Sequence, residues 1–126
     1  DITASFQATE KLGLGFNAAT RTLASDGDGD ASWSGAALYA KYAFSDSFLF
    51  GLRAETINDK DGFLFGEVDN NIFALTLSGN VTIANNLRLI PELRFDSAKA
   101  TGTFTSYSDE ALKANSVFIL AAVYSF

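Results

Sequence analysis

Apolar and polar residues alternate with a period of two along most of the chain, and helical periodicity is absent. In the stretch Leu12–Leu23, Leu12, Leu14, Phe16 and Ala18 fall on one face of an extended strand, and Gly13, Gly15, Asn17 and Arg21 on the other. The same alternation predicts seven strands, with bounds near Ile2–Ala8, Leu12–Leu23, Trp33–Ser45, Phe48–Asn58, Asn71–Ala84, Leu87–Ala98 and a last one opening near Leu112. Pro91 lies on the apolar face of the sixth. Proline donates no ladder bond, so a bulge or a lost bond is expected there.

The connections alternate between short and long. Thr9-Glu10-Lys11, Asp46-Ser47 and Asn85-Asn86 read as tight turns. Ala24–Ser32, Asp59–Asn70 and Lys99–Ala111 are longer and polar, rich in Gly, Asp and Ser, and Asp59-Lys60-Asp61-Gly62 reads as a turn inside the second. Short turns at one end and long loops at the other are the layout of an outer-membrane β-barrel. Strands of roughly ten to fourteen residues also fit a tilted crossing of a bilayer, whereas strands of soluble sheets average about five to six.

The two faces differ in bulk. One carries Phe, Leu and Tyr on nearly every strand, too much to fit inside a narrow barrel. The other carries Gly, Ala, Ser, Thr and Asn with a few charges. The bulky face is therefore assigned to lipid and the small polar face to a lumen. On the lumen face Lys41, Arg53, Glu55, Glu92 and Arg94 are expected to pair across strands as a charge ladder, or to tune ion selectivity if a pore is open. Glu55 and Glu92 as an acid/base pair is disfavoured by the arginines beside them. Tyr42 and Phe44 read as residues of an interface girdle, while Trp33 and Tyr39 stand as candidates for a ligand platform. The expected fold is all-β, a single antiparallel transmembrane β-barrel domain with about seven to eight strands in this chain.

Composition narrows the chemistry. A net charge of −6 and a pI near 4.4 disfavour nucleic-acid binding. The 126 residues include no Cys and no His, so disulfides, thiolate chemistry and Ser/His catalysis have no residues to use; neither an enzyme nor a cofactor is expected. Asp26, Asp28 and Asp30 are spaced as in a calcium loop. The sixth and twelfth positions are Ala31 and Ala37, which breaks that pattern. An acidic, solvated loop is the preferred reading, with a loose divalent-ion site bridging lipopolysaccharide phosphates as the weaker one.

Phe118, Leu120, Ala122, Tyr124 and Phe126 share one apolar face at the end of the chain. This resembles the C-terminal signal of bacterial outer-membrane barrels, in which a final Phe and an aromatic two residues earlier, here Phe126 and Tyr124, are read by the assembly machinery. Further pieces carry a wider likeness: Leu38-Tyr-Ala-Lys-Tyr-Ala-Phe44, Gly51-Leu-Arg-Ala-Glu55, Asn58-Asp-Lys-Asp-Gly62, Leu75-Thr-Leu77 and Asn86-Leu-Arg-Leu-Ile-Pro-Glu-Leu-Arg-Phe-Asp96. In order and spacing they resemble the C-terminal half of the β-barrel porin-2 family. That resemblance implies the bacterial outer membrane, a porin-like passive or structural role, and no catalytic residues. The expected partners are outer-membrane lipid and lipopolysaccharide and the barrel-assembly machinery, with partner subunits docking through the long loops under the reading of a larger assembly. Competing readings are a barrel subunit of a larger outer-membrane assembly and a soluble β-barrel ligand-binding protein, which would need no detergent.

Seven strands pose a parity problem, because even-stranded barrels keep both termini on one side. A strand before Asp1, a ladder role for Thr101–Tyr107, or a larger barrel of which this chain is the C-terminal part would each resolve it; the last is preferred. One test follows from the terminal strand. Phe126→Ser should lower the yield of membrane-assembled protein in fractionated cells far more than any single loop substitution, and normal assembly would refute the signal.

Overall fold

The computed structural model of the protein describes residues 1–24, 29–66, 68–106 and 108–126. Its main body is one antiparallel sheet of seven strands: β1 (Ile2–Gln7), β2 (Leu12–Leu23), β3 (Ala31–Ser45), β4 (Phe48–Asp61), β5 (Val68–Ala84), β6 (Leu87–Ala98) and β9 (Ala114–Tyr124). Each strand pairs with the next, and β6 pairs with β9. Between those two lies a small separate hairpin, β7 (Phe104–Thr105) with β8 (Ala111–Leu112). Of the segment Thr101–Tyr107, the described residues 101–106 add no strand to the main ladder. The three tight turns fall where alternation put them, since β2, β4 and β6 open at Leu12, Phe48 and Leu87. The strands beside the second long loop run further than expected: β4 continues to Asp61 and β5 begins at Val68.

The sheet does not close. β1 and β9 are its two edges, and they run in the same direction. What is present is an all-β, curled antiparallel sheet rather than a complete barrel.

Register decides which residues share a face. One row runs Phe6–Leu14–Ala40–Leu52–Leu77–Leu93–Phe118 across all seven strands, and the next runs Ala4–Phe16–Leu38–Ala54–Leu75–Phe95–Ser116. This face is exposed: Leu38 is 64 % and Phe118 66 % accessible. Alternate residues make the opposite face, which is the sheltered, concave one. Its buried positions include Ala37, Glu55, Asp59, Asn70, Ala74 and Thr76. The usual arrangement of a soluble protein is inverted, with small and polar side chains inside and large apolar ones outside.

The apolar outer band has a visible limit. Past the row Ala18–Ala36–Thr56–Phe73, the outer face turns to Thr20–Ser34–Asn58–Asn71. From Phe48 to Thr56 a strand thus crosses with about nine residues, the length a tilted membrane strand needs. Near the tight turns, Tyr42, Phe44 and Phe48 cluster on the outer face, with ring centroids 4.8 Å apart for the first pair and 5.4 Å for the second. Tyr124 lies at the same level, opposite Leu87.

Pro91 causes no bulge. Pairing between β5 and β6 skips Gly79–Pro91 and Asn80–Ile90, then resumes in the same register at Val81–Leu89. A Cβ on Gly79 would come within 3.2 Å of the Pro91 ring, so the glycine makes the room that the ring takes. The irregularity of this pair falls instead at Thr82–Ala84, beside the tight turn.

A charged trough on the concave face

Three rows of the concave face hold its chemistry. The first is Gln7–Gly13–Lys41–Gly51–Ser78–Glu92, the second Ser5–Gly15–Tyr39–Arg53–Thr76–Arg94, and the third Thr3–Asn17–Ala37–Glu55–Ala74–Asp96. Strand periodicity alone puts Lys41, Arg53, Glu55, Glu92 and Arg94 on this one side. Lys41, Arg53, Glu92 and Arg94, with small residues between them, line a trough of about 460 Å³, and Glu55 is buried beside it.

Glu55 is its hub. The carboxylate is buried and accepts from Arg53 on its own strand and from Arg94 Nη2 at 2.8 Å. Arg94 belongs to β6, so this second bond passes over β5. It can do so because β5 offers only Ala74 and Thr76 there, the register partners of Glu55 and Arg94. Arg94 also donates from Nε to Asp96 at 2.8 Å. The Arg53 guanidinium lies 5.6 Å from the Tyr39 ring centroid, within the range of a cation–π contact. A chain Tyr39–Arg53–Glu55–Arg94–Asp96 thus spans four strands.

Lys41 and Glu92 lie on the same face and line the trough, but among the described residues neither forms an ion pair. Lys41 lies flat over Gly13, where a Cβ would meet its Cε at 2.5 Å. Tyr39, a ligand-platform candidate from the sequence, and Asp96, which has no role in the sequence reading, complete the network. Asp96 was findable, since it shares a face with Arg94 two positions away.

The aromatic candidates separate by face. Trp33 and Tyr39 are concave, while Tyr42 and Phe44 are outward. Asp59 requires a correction: it is no turn residue but a fully buried position within β4. Its turn-like composition hid a strand that runs past the membrane band. Asp26 and Asp28 lie outside the described residues. Asp30 is exposed just ahead of β3, and no acidic cluster suited to a metal occurs among the described residues. Phe126 stands beyond the end of β9, fully exposed, and Ser125 N–H donates to the Asn86 carbonyl at 2.9 Å.

At the long-loop rim Asp61 accepts from both the amide and the hydroxyl of Ser32, at 2.8 Å each. These bonds, the hydroxyl first, hold its carboxyl below the usual aspartate range, with a smaller push from Lys60.

A family model described as "Putative beta-barrel porin-2, OmpL-like" matches residues 1–126, the whole chain. No curated protein and no solved structure matches it.

Two tests follow from this geometry. Glu55→Ala leaves two arginines facing each other without their carboxylate. It should destabilise the protein by about 2–3 kcal/mol in detergent unfolding, less than a fully buried pair because the arginines remain a third or more exposed. Asp61, with its depressed pKa, favours the folded rim above the ordinary carboxylate range, and that contribution disappears as pH falls through its folded value. Its carboxyl resonance should titrate below a free aspartate in the wild type, and shift back up in Ser32→Ala.

Proposed function

We propose, since the chain belongs to this porin-like β-barrel family, that it supplies the wall of an outer-membrane channel for passive diffusion of small solutes in bacteria. The observation that carries this reading is the inverted sheet. The rows facing outward through the band are predominantly apolar or aromatic, and the charged residues Lys41, Arg53, Glu55, Glu92, Arg94 and Asp96 all lie on the concave face. A soluble ligand-binding barrel would expose this apolar face to water, against the usual limit on apolar patches. In lipid the same face is solvated, and an arginine placed on it would cost about 2–4 kcal/mol at mid-bilayer.

Two unpaired edges have no partner in lipid, where unbonded backbone N–H and C=O groups cost several kcal/mol each. The working form therefore has further strands bonded to β1 and β9. The trough then becomes part of a closed lumen, with lipid and lipopolysaccharide around it, and the assembly machinery inserts it.

A second reading has its own support. Glu55 is saturated by two arginines and Arg94 by two carboxylates, so the network also serves as a rigid strut across β4 to β6. Selectivity separates the two roles. The protein purified in detergent and reconstituted in planar bilayers should conduct, and Arg94→Ala, which removes one lumen cation, should shift its reversal potential toward cation selectivity. If the network is only a strut, Arg94→Ala lowers unfolding stability and conductance is absent. Recovery of the native protein as a detergent-free monomer would sink the membrane reading altogether.

A further inference from the structure

We propose that Asp59 holds the turn Gly62–Gly66 over the long-loop end of the concave face, the mouth of the lumen, as an apolar constriction, so that the mouth, and not the charged span, sets what passes. This rests on the channel reading above and adds a location and a selectivity to it.

The concave face ends at the long-loop side in the row Arg21–Trp33–Asp59–Asn70. This row lies level with the polar end of the outer face, beyond the membrane band. Asp59 is 0 % accessible, yet no cation pairs with it among the described residues. Instead its carboxylate accepts three backbone amides of the following turn: Phe63 at 2.8 Å on Oδ1, Leu64 at 2.8 Å and Phe65 at 2.9 Å on Oδ2. Since Asp59 points to the concave side, amides that reach it must bend back over that side. The turn closes with Gly66 N–H on the Gly62 carbonyl at 2.9 Å. Both glycines have left-handed φ, 70° and 76°, which permits so tight a reversal.

How far the turn leans is read from Phe63. Its ring lies 6.0 Å from the Arg21 guanidinium. Arg21 is on β2, two strands from Asp59, so Phe63 reaches across Trp33 of β3. The Trp33 indole N–H is buried without a hydrogen-bond partner among the described residues, as a side chain covered by apolar neighbours would be. On the other side Asn70, register partner of Asp59 and 1 % accessible, draws in the next loop. Its carbonyl accepts from Ala100 N–H at 3.0 Å and its amide donates to Thr103 Oγ1 at 2.9 Å. Two adjacent buried side chains thus pull two loops inward over one mouth. Phe63, Leu64 and Phe65 remain partly exposed there, at 40 %, 41 % and 40 %, and are the apolar surface a solute meets. An apolar narrowing resists hydrated ions more than small, weakly hydrated neutral solutes.

The latch needs two acceptor oxygens. Asp59→Asn keeps shape and burial but turns an amino group toward an amide N–H. In planar bilayers the reconstituted protein carrying Asp59→Asn should show single-channel conductance raised at least about twofold, as expected when a dewetted constriction widens. The double variant Phe63→Ala/Phe65→Ala, at exposed tips that leave the sheet intact, should do the same. Because the chain has no Cys, Phe65→Cys is a unique label, and a bulky thiol reagent on it should lower conductance. If the wild type conducts and neither the alanine pair nor the label changes it, the constriction lies elsewhere while the channel reading survives. If the wild type is silent and Asp59→Asn conducts, the turn is a plug and both are supported. Silence in every form removes the channel reading, and this proposal with it.

Discussion

The meeting of Glu55 with two arginines from different strands is the interaction on which the concave face depends. Arg94 can reach it only across the low surface of Ala74 and Thr76, and only in the register observed. Slipping β4 by one residue against its neighbours would turn Arg53 and Glu55 outward. In lipid that costs more than a surface ion pair ever returns. The charges therefore act as a register lock: their contribution lies less in the attraction between them than in how unfavourable every alternative is.

The same constraint explains why bulk and burial are uncoupled here. Large side chains stand outside because hydrocarbon accepts them, and the sheltered side is made of Gly, Ala, Thr and Ser because a curled sheet has little room on its inner surface. Gly51 shows how tight this is, since a Cβ there would come within 2.5 Å of Ser78 Oγ. Small residues are what let long charged ones lie flat across their neighbours.

Strands, tight turns and the two faces were legible in the sequence, because a strand with unlike faces writes a period of two that nothing else mimics. The family was legible for a similar reason: Gly51–Glu55 and Asn86–Asp96 carry unusual charges at fixed spacing within apolar strands. What could not be read was anything set by side chains meeting across strands or loops. Asp59 looked like a turn residue because its neighbours Lys60, Asp61 and Gly62 are loop-forming. Only the folded turn shows that its carboxylate serves three amides. Asp96 lacked a stated role until Arg94 was seen between it and Glu55. The small hairpin of β7 and β8 is too short to leave any periodic trace.

The shared direction of β1 and β9 has a bearing on how such a wall grows. Repeat units in up-and-down sheets are hairpins, and copying a hairpin adds strands in pairs. Pairs never change whether the two outermost strands run alike or opposed. Joining these edges through antiparallel neighbours takes an odd number of further strands, so each edge must meet a strand of opposite direction before the wall can close.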